Sequence, residues 1–455
     1  MQEFDLVIIG AGPGGYETAL AAAGEMRVAL VEKDELGGTC LNRGCIPTKS
    51  LLHAAELLQA IRRSSLFGIQ SGEAACDFAA VHERKDQVIR QLRDGIAQRM
   101  KQKKVTVLKG TGTILDAHTV QVRGEEETLL KTERILIATG SRPVIPPIPG
   151  INCPHVETSD TLLAKEDAIY PRLLIIGGGV IGLEFASVFS ALGSAVTIVE
   201  AMPRLAGNMD REISQSLKML LKKREIQVFC DTRVQEIREE GEGLRCLCLQ
   251  EEKQLELEAD GILVCTGRRP FTEGLFGEGF RIEEDRGRIS VDEHYQTSCP
   301  GIYAIGDVTG GIMLAHAASA QGRCALAHML GRTPPVSMVV PACIYTDPEI
   351  ASVGLTLEEA RERGLQADSR KYPMSANGKT VLSQQERGFI KVVYEKESHR
   401  LLGAHLMCAR ASDLISEMTQ ALARGSTLEE LASVIRPHPT FSEGVTEAVT
   451  LPREA

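Results

Sequence analysis

The sequence predicts an α/β chain of two Rossmann-like βαβ units with a smaller α+β domain at its C-terminal end. The first observation is a repeat. FDLVIIGAGPGG (4–15) followed by VALVEK has the same layout as RLLIIGGGVIG (172–182) followed by VTIVEA, about 170 residues on. Each is an apolar strand, a glycine turn, a helix, a second strand and an acidic residue. Each is followed by a related strand and turn, ILIATGSRP at 135–143 and ILVCTGRRP at 262–270. The second observation is a change of pattern near residue 338. Short strands (VVPACIY, GFIKVVY, LLGAHLM) then alternate with helical stretches (LTLEEARERG, ASDLISEMTQALARG).

These patterns divide the chain into 1–145, 146–270, 271–337 and 338–455. The Pro-rich stretch from Pro143 to Pro154 reads as one linker, and Thr333-Pro334-Pro335 as another. The third segment carries GIYAIGDV and a helix over about 314–330, and it is expected to return to the first domain.

A chain of 455 residues can bury several cores. Its formal net charge of −10 argues against nucleic acid or an anionic membrane surface as the main partner. The apolar run from Leu173 to Val199 is interrupted by glycines and Glu184, so no membrane span is expected. The N-terminus reads as a strand rather than a secretory leader. Twelve scattered cysteines suit a reducing compartment, and a cytoplasmic location is expected. No metal site is expected.

Gly10, Gly12 and Gly15 form G-x-G-x-x-G, with Glu32 closing the next strand. Such glycines let a pyrophosphate approach a helix N-terminus, and the acid accepts hydrogen bonds from a ribose. A plain βαβ turn is the bland alternative, but strand, helix and acid all stand at the right distances. Gly177, Gly179 and Gly182 repeat the motif, with Glu200 in the place of Glu32. Two such sites fit a flavin and a nicotinamide. Glu200 favours NAD over NADP, because a carboxylate repels a 2′-phosphate. Arg204 stands nearby, and its ordinary role is a solvated loop charge.

Cys40 and Cys45 lie in GGTCLNRGCIPTK. On a regular helix, residues five apart point about 140° away from each other, so these sulfurs meet only if the chain is broken between them. Gly37, Gly38, Gly44 and Pro47 supply the means. Lys49 stands four residues past Cys45. Two buried free thiols are the alternative, and spacing alone does not decide. The pair follows the first βαβ unit directly, which places it beside a flavin. His438, flanked by Pro437 and Pro439 with Glu443 five residues on, has the base-and-orienter pattern. A dithiol substrate needs such a base, since an unperturbed thiol is protonated near neutral pH.

With GGTCLNRGCIPTK, GGGVIGLE, YAIGDV, MLAHAASAQG, YTDPEIASVG, SANGKT and HPTFSE in this order, the chain resembles the pyridine nucleotide–disulfide oxidoreductase family over essentially its whole length, most closely the branch that oxidises dihydrolipoamide. The resemblance implies FAD in the first domain, NAD in the second, and a homodimer joined by the C-terminal domain. It makes Cys40 the thiol that meets the substrate and Cys45 the thiol beside the flavin. It puts Lys49 near flavin N5, paired with Glu184. Gly38, Thr39, Gly112, Thr139, Gly140, Asp307, Met313, Leu314, Ala315 and His316 match FAD contacts. Val180, Ile181, Val234 and Gly267 match NAD contacts. Arginines that hold a 2′-phosphate in NADP-using members align with Ala201 and Gly207, which again favours NAD. His438, oriented by Glu443, is expected to take a proton from dihydrolipoamide at the active site of the partner subunit. The implied reaction passes electrons from dihydrolipoamide through Cys40–Cys45 and FAD to NAD+, with lipoyl domains of 2-oxoacid dehydrogenase or glycine cleavage complexes as partners. Glutathione reductase is disfavoured by Glu200. Mercuric reductase is disfavoured by an LPREA ending without a cysteine pair, and an inert structural subunit by the presence of both cysteines, His438 and Glu443. Arg43 between the cysteines and the Arg436-Pro437 pair depart from the expected pattern.

Overall fold

Hydrophobic strands buried on both faces set the architecture. In the computed structural model, which describes residues 2–165, 169–334, 337–385 and 388–450, β1 (Gln2–Ile9) and β2 (Val28–Glu32) pair in parallel at the centre of a seven-stranded sheet. Their runs LVII and VALV are fully buried, as a sheet covered on both faces requires. Strand Glu127–Ile137 flanks β1 in parallel, and Ile302–Ala304 adds to its far side. Strand Ile302–Ala304, beyond the second unit, therefore belongs to the first sheet. Helix α1 (Pro13–Ala22) packs on helix Ala315–Met329.

The second unit repeats the design. Strands Gln227–Phe229, Ala195–Val199, Arg172–Ile176, Gly261–Val264 and Val156–Thr158 form an all-parallel sheet. Its helix Val180–Leu192 carries one charged residue, the buried Glu184. An antiparallel three-stranded sheet follows, where Cys246 and Cys248 share one buried face with sulfurs 3.7 Å apart. The period-two alternation of a strand explains that pairing.

The last unit is the expected α+β domain. Its five strands are all antiparallel, in the order Ala342–Ile344, Ile350–Gly354, Leu401–Met407, Phe389–Glu395, Ala367–Pro373, with helix Ala411–Arg424 against them. Pro335 of the second linker and the LPREA ending lie outside the described residues. Among the described residues, no helix is long and apolar enough to cross a membrane.

The second and third units are joined by buried charge. Lys391 Nζ lies 2.9 Å from Asp210 Oδ2 and 2.8 Å from Glu212 Oε1, at the start of helix Arg211–Lys223. Arg224, which caps the other end of that helix, lies 2.7 Å from Asp347. Removing one member of a buried pair strands the other. Lys391→Ala is therefore expected to lower stability by about 3–5 kcal/mol, read from denaturant unfolding. A change under about 1 kcal/mol contradicts this.

Candidate active site

The glycine turns separate what the fold needs from what a ligand needs. A Cβ on Gly15 would come within 1.9 Å of the Gly10 carbonyl oxygen, and one on Gly182 within 2.1 Å of the Gly177 carbonyl oxygen. Those glycines let each helix pack against its turn. A Cβ on Gly12 or Gly179 would meet nothing within 4 Å. That open space lies at a helix N-terminus with no side-chain cap, where free N–H groups favour an anion. The two acids also match. Glu32 accepts from the Ala11 amide at 2.7 Å and the Asp34 amide at 2.9 Å; Glu200 accepts from the Gly178 amide at 2.6 Å and the Met202 amide at 2.7 Å.

A cavity of about 1140 Å³ runs from the first glycine turn to the cysteine pair. Its walls include Gly10, Gly12, Glu32, Gly38, Thr39, Cys40, Cys45, Lys49, Gly112, Thr139, Gly140, Asp307 and Met313 through His316. Val180, Ile181 and Glu184 reach the same space from the second unit. Gly15, Gly177, Gly179, Gly182, Glu200 and Gly267 lie in or beside the two turns without lining the cavity, and Val234 packs into the core of the second unit. The open space at Gly12, the acid at Glu32 and a long cavity ending on two thiols fit a flavin dinucleotide.

The thiols meet because the helix is broken. Helix α2 (Gly38–Arg43) carries Cys40, and α3 (Cys45–Arg62) begins with Cys45. Between them Gly44 has φ −145° and ψ −108°, far from helical values. Asn42 fixes α2 by donating to the carbonyls of Leu36 at 3.0 Å and Gly38 at 2.9 Å, and Thr48 Oγ1 donates to the Gly44 carbonyl at 2.7 Å. In the dithiol form Cys40 donates a hydrogen bond to Cys45. That bond, with help from Lys49, lowers the Cys45 pKa to about 7 and pushes the Cys40 thiol far up. Its place at the first residue of an 18-residue helix favours the same charge.

Lys49 Nζ is 2.7 Å from Glu184 Oε2 and 4.4 Å from the Tyr345 ring centroid. The other Glu184 oxygen accepts from the Tyr345 amide at 3.1 Å. Lys49 is thus held between the second and third units. Tyr345 and Cys343, two residues before it, both line the cavity; Tyr345 opens the YTDPEIASVG stretch, but no spacing or repeat marks either as a site residue. Burial pushes the Cys343 thiol up to about 11.

His438 does not join this constellation within one chain. Its side chain is 79% exposed and outside the cavity lining. Its Nδ1 is 2.9 Å from Glu443 Oε1, and Glu443 Oε2 accepts from the Thr440 amide at 2.8 Å. That amide and His438 hold the Glu443 pKa below the usual range. The unexpected Arg436 is an anchor. Its buried guanidinium pairs with Glu417 and donates to Thr446 Oγ1 at 2.8 Å, fixing the loop just before His438. Arg43, the other departure, pairs with Asp34 at the cavity wall.

Comparison with known proteins accounts for this arrangement. Residues 4–322 match the pyridine nucleotide-disulphide oxidoreductase model, and residues 340–449 match that family's dimerisation domain. The chain belongs to this family. The dimerisation domain supports a homodimer. A dihydrolipoyl dehydrogenase of Chlamydia pneumoniae is 39% identical, covering 99% of this chain and 97% of its own. One from Thermus scotoductus is 40% identical, covering 98% and 97%. The solved HOCl-induced flavoprotein disulfide reductase RclA of Escherichia coli aligns with a TM-score of 0.87 at 31% identity, covering 98% and 99%.

The depressed Cys45 pKa has a measurable sign. A group whose pKa is lowered to about 7 is a thiolate above that pH and a thiol below it. Ultraviolet thiolate absorbance of the reduced protein is expected to rise through about pH 7, and in Cys40→Ala to rise at higher pH. A first thiol titrating at the ordinary value of about 8.5 contradicts the assignment.

Proposed function

We propose that this enzyme is a dihydrolipoyl dehydrogenase, oxidising protein-bound dihydrolipoamide with NAD+ through the Cys40–Cys45 disulfide. The observation that carries the reading is the single cavity that joins the glycine turn at Gly12, the two thiols and the Lys49–Glu184 pair. FAD and NAD are its cofactors; FAD, when bound, takes an electron pair from the dithiol and returns it as hydride to NAD+.

The chain's own residues do the rest. Imidazole at His438, held by Glu443, removes a proton from one substrate thiol. The substrate thiolate attacks the Cys40 sulfur, and the disulfide bond breaks toward Cys45. Cys45 is the better leaving group, because its thiolate is favoured by the Cys40 hydrogen bond and by Lys49. The second substrate thiol then displaces Cys40 and closes the lipoamide ring. The proton of that second thiol passes to the departing Cys40 sulfur, whose S–H then donates to the Cys45 thiolate, while His438 carries the first. Asp307, Thr39, Thr139 and the residues from Met313 to His316 would hold the flavin. Glu200 would hold the ribose of NAD, with Gly177, Gly179, Val180, Ile181 and Gly182 at its phosphates and nicotinamide end.

The exposed His438 is read as the partner subunit's contribution, so each site spans the dimer. Lipoyl domains of 2-oxoacid dehydrogenase or glycine cleavage complexes are the proposed partners. The proposed domain division stays at 145, 270 and 337, supported by the return of Ile302–Ala304 to the first sheet. A cytoplasmic location is proposed on the scattered thiols.

Steady-state turnover is the test. Dihydrolipoamide with NAD+ is expected to be used, while glutathione disulfide and Hg(II) are not. NAD+ is expected to exceed NADP+ in kcat/KM by about 100-fold or more, since a misplaced charge costs several kcal/mol. Arg204 does not rescue NADP, because its guanidinium is turned to the Gly207 carbonyl at 2.7 Å. His438→Gln is expected to lower turnover by about 10²–10⁴-fold, the ordinary worth of a general base. Equal use of NADP+, or an unimpaired His438→Gln, contradicts the reading.

A further inference from the structure

Asp307 reaches the flavin cavity through a relay that begins in the second unit. Ser141 Oγ lies 2.6 Å from Asp307 Oδ2, and Arg268 Nε lies 2.8 Å from the same Ser141 oxygen. Arg268 Nη2 donates to the Ser141 carbonyl at 3.0 Å, and Arg268 Nη1 is 3.5 Å from Asp160 Oδ1. All four residues line the cavity. Ser141 is buried, and the Arg268 side chain is 14% exposed. The antiparallel pairing of Ser141–Pro143 with Arg268–Pro270 sets the register that brings them together.

The direction of each bond is forced. A guanidinium only donates and a carboxylate only accepts. The Ser141 oxygen therefore accepts from Arg268, and its single proton goes to Asp307. That engages Oδ2 in one orientation and leaves Oδ1 as the acceptor open to a ligand hydroxyl.

We propose that Ser141 and Arg268 are positioning residues for FAD, and that the nicotinamide unit thereby helps to hold the flavin. This rests on the flavin reading given above. Asp160 follows strand Val156–Thr158 of the second unit's parallel sheet, and Arg268 follows its strand Gly261–Val264. Two residues of that unit thus orient a carboxylate of the first. By linkage, flavin bound at Asp307 strengthens the docking of the two units, and loosening that docking speeds flavin loss.

The test follows flavin release from the holoenzyme, read as recovery of flavin fluorescence after dilution. Ser141→Ala leaves the half-buried Asp307 carboxylate without this donor, so release is expected to quicken by about tenfold to a hundredfold. Arg268→Gln is expected to quicken it less, because the hydroxyl remains. Ser141→Thr keeps the hydroxyl and is expected to hold flavin within about twofold of the parent. Parental release from Ser141→Ala, or equal acceleration in Ser141→Thr, overturns the proposal. If Ser141→Ala is recovered unfolded, Arg268→Gln decides: release faster than the parent supports the proposal, and parental release overturns it. A parent protein without flavin instead refutes the functional reading on which this one stands.

Discussion

The interruption of one helix at Gly44 is the constraint on which the site depends. An unbroken helix would carry Cys40 and Cys45 on well-separated faces. The non-helical Gly44 makes two helices of one segment, turns the thiols toward each other, and makes Cys45 the first residue of α3. That position gives Cys45 the positive end of a helix. It also puts Lys49 one turn below, where Glu184 fixes it. The asymmetry of the pair follows from this geometry, because the thiol at the helix start becomes the stable anion and the other keeps its proton.

Much of this was legible in the sequence, for a physical reason. Gly15 and Gly182 leave no room for a Cβ, so the backbone demands glycine and the motif records it. The buried runs LVII and VALV declare a covered parallel sheet. The C-x4-C spacing required a broken helix if the sulfurs were to meet and pointed to Gly37, Gly38, Gly44 and Pro47 together; the structure breaks the helix at Gly44. What was not legible depends on contacts between distant segments. Ser141 and Arg268 stand 127 residues apart at matching places in the two repeated strand-turns, and the repeat by itself does not say that they touch. Arg436 looked like an oddity until Glu417 and Thr446 appeared around it. Tyr345 and Cys343 reach the cavity only because the third unit's sheet closes on Lys49.

The three units contribute differently. The first supplies the cavity and the dithiol. The second sends Val180, Ile181 and Glu184 into the same space, so its wall joins the cavity that holds the thiols. The third closes the wall with Tyr345 and is tied to the second by the Lys391–Asp210–Glu212 cluster. It also carries His438 on an exposed loop, held by Glu443 and by the Arg436 anchor but away from the cavity of its own chain. An imidazole so oriented and so exposed is what the proposal of a base acting in a second subunit's cavity requires.

The central claim is therefore that one chain supplies the thiols and flavin cavity and the other supplies the base. Hybrid dimers test it most directly. A chain carrying Cys45→Ser and a chain carrying His438→Gln are each impaired. In their heterodimer a shared site predicts one intact constellation of two, with turnover near half that of the parent dimer. A heterodimer no more active than either impaired homodimer would mean that each chain completes its own site, and it would contradict the account.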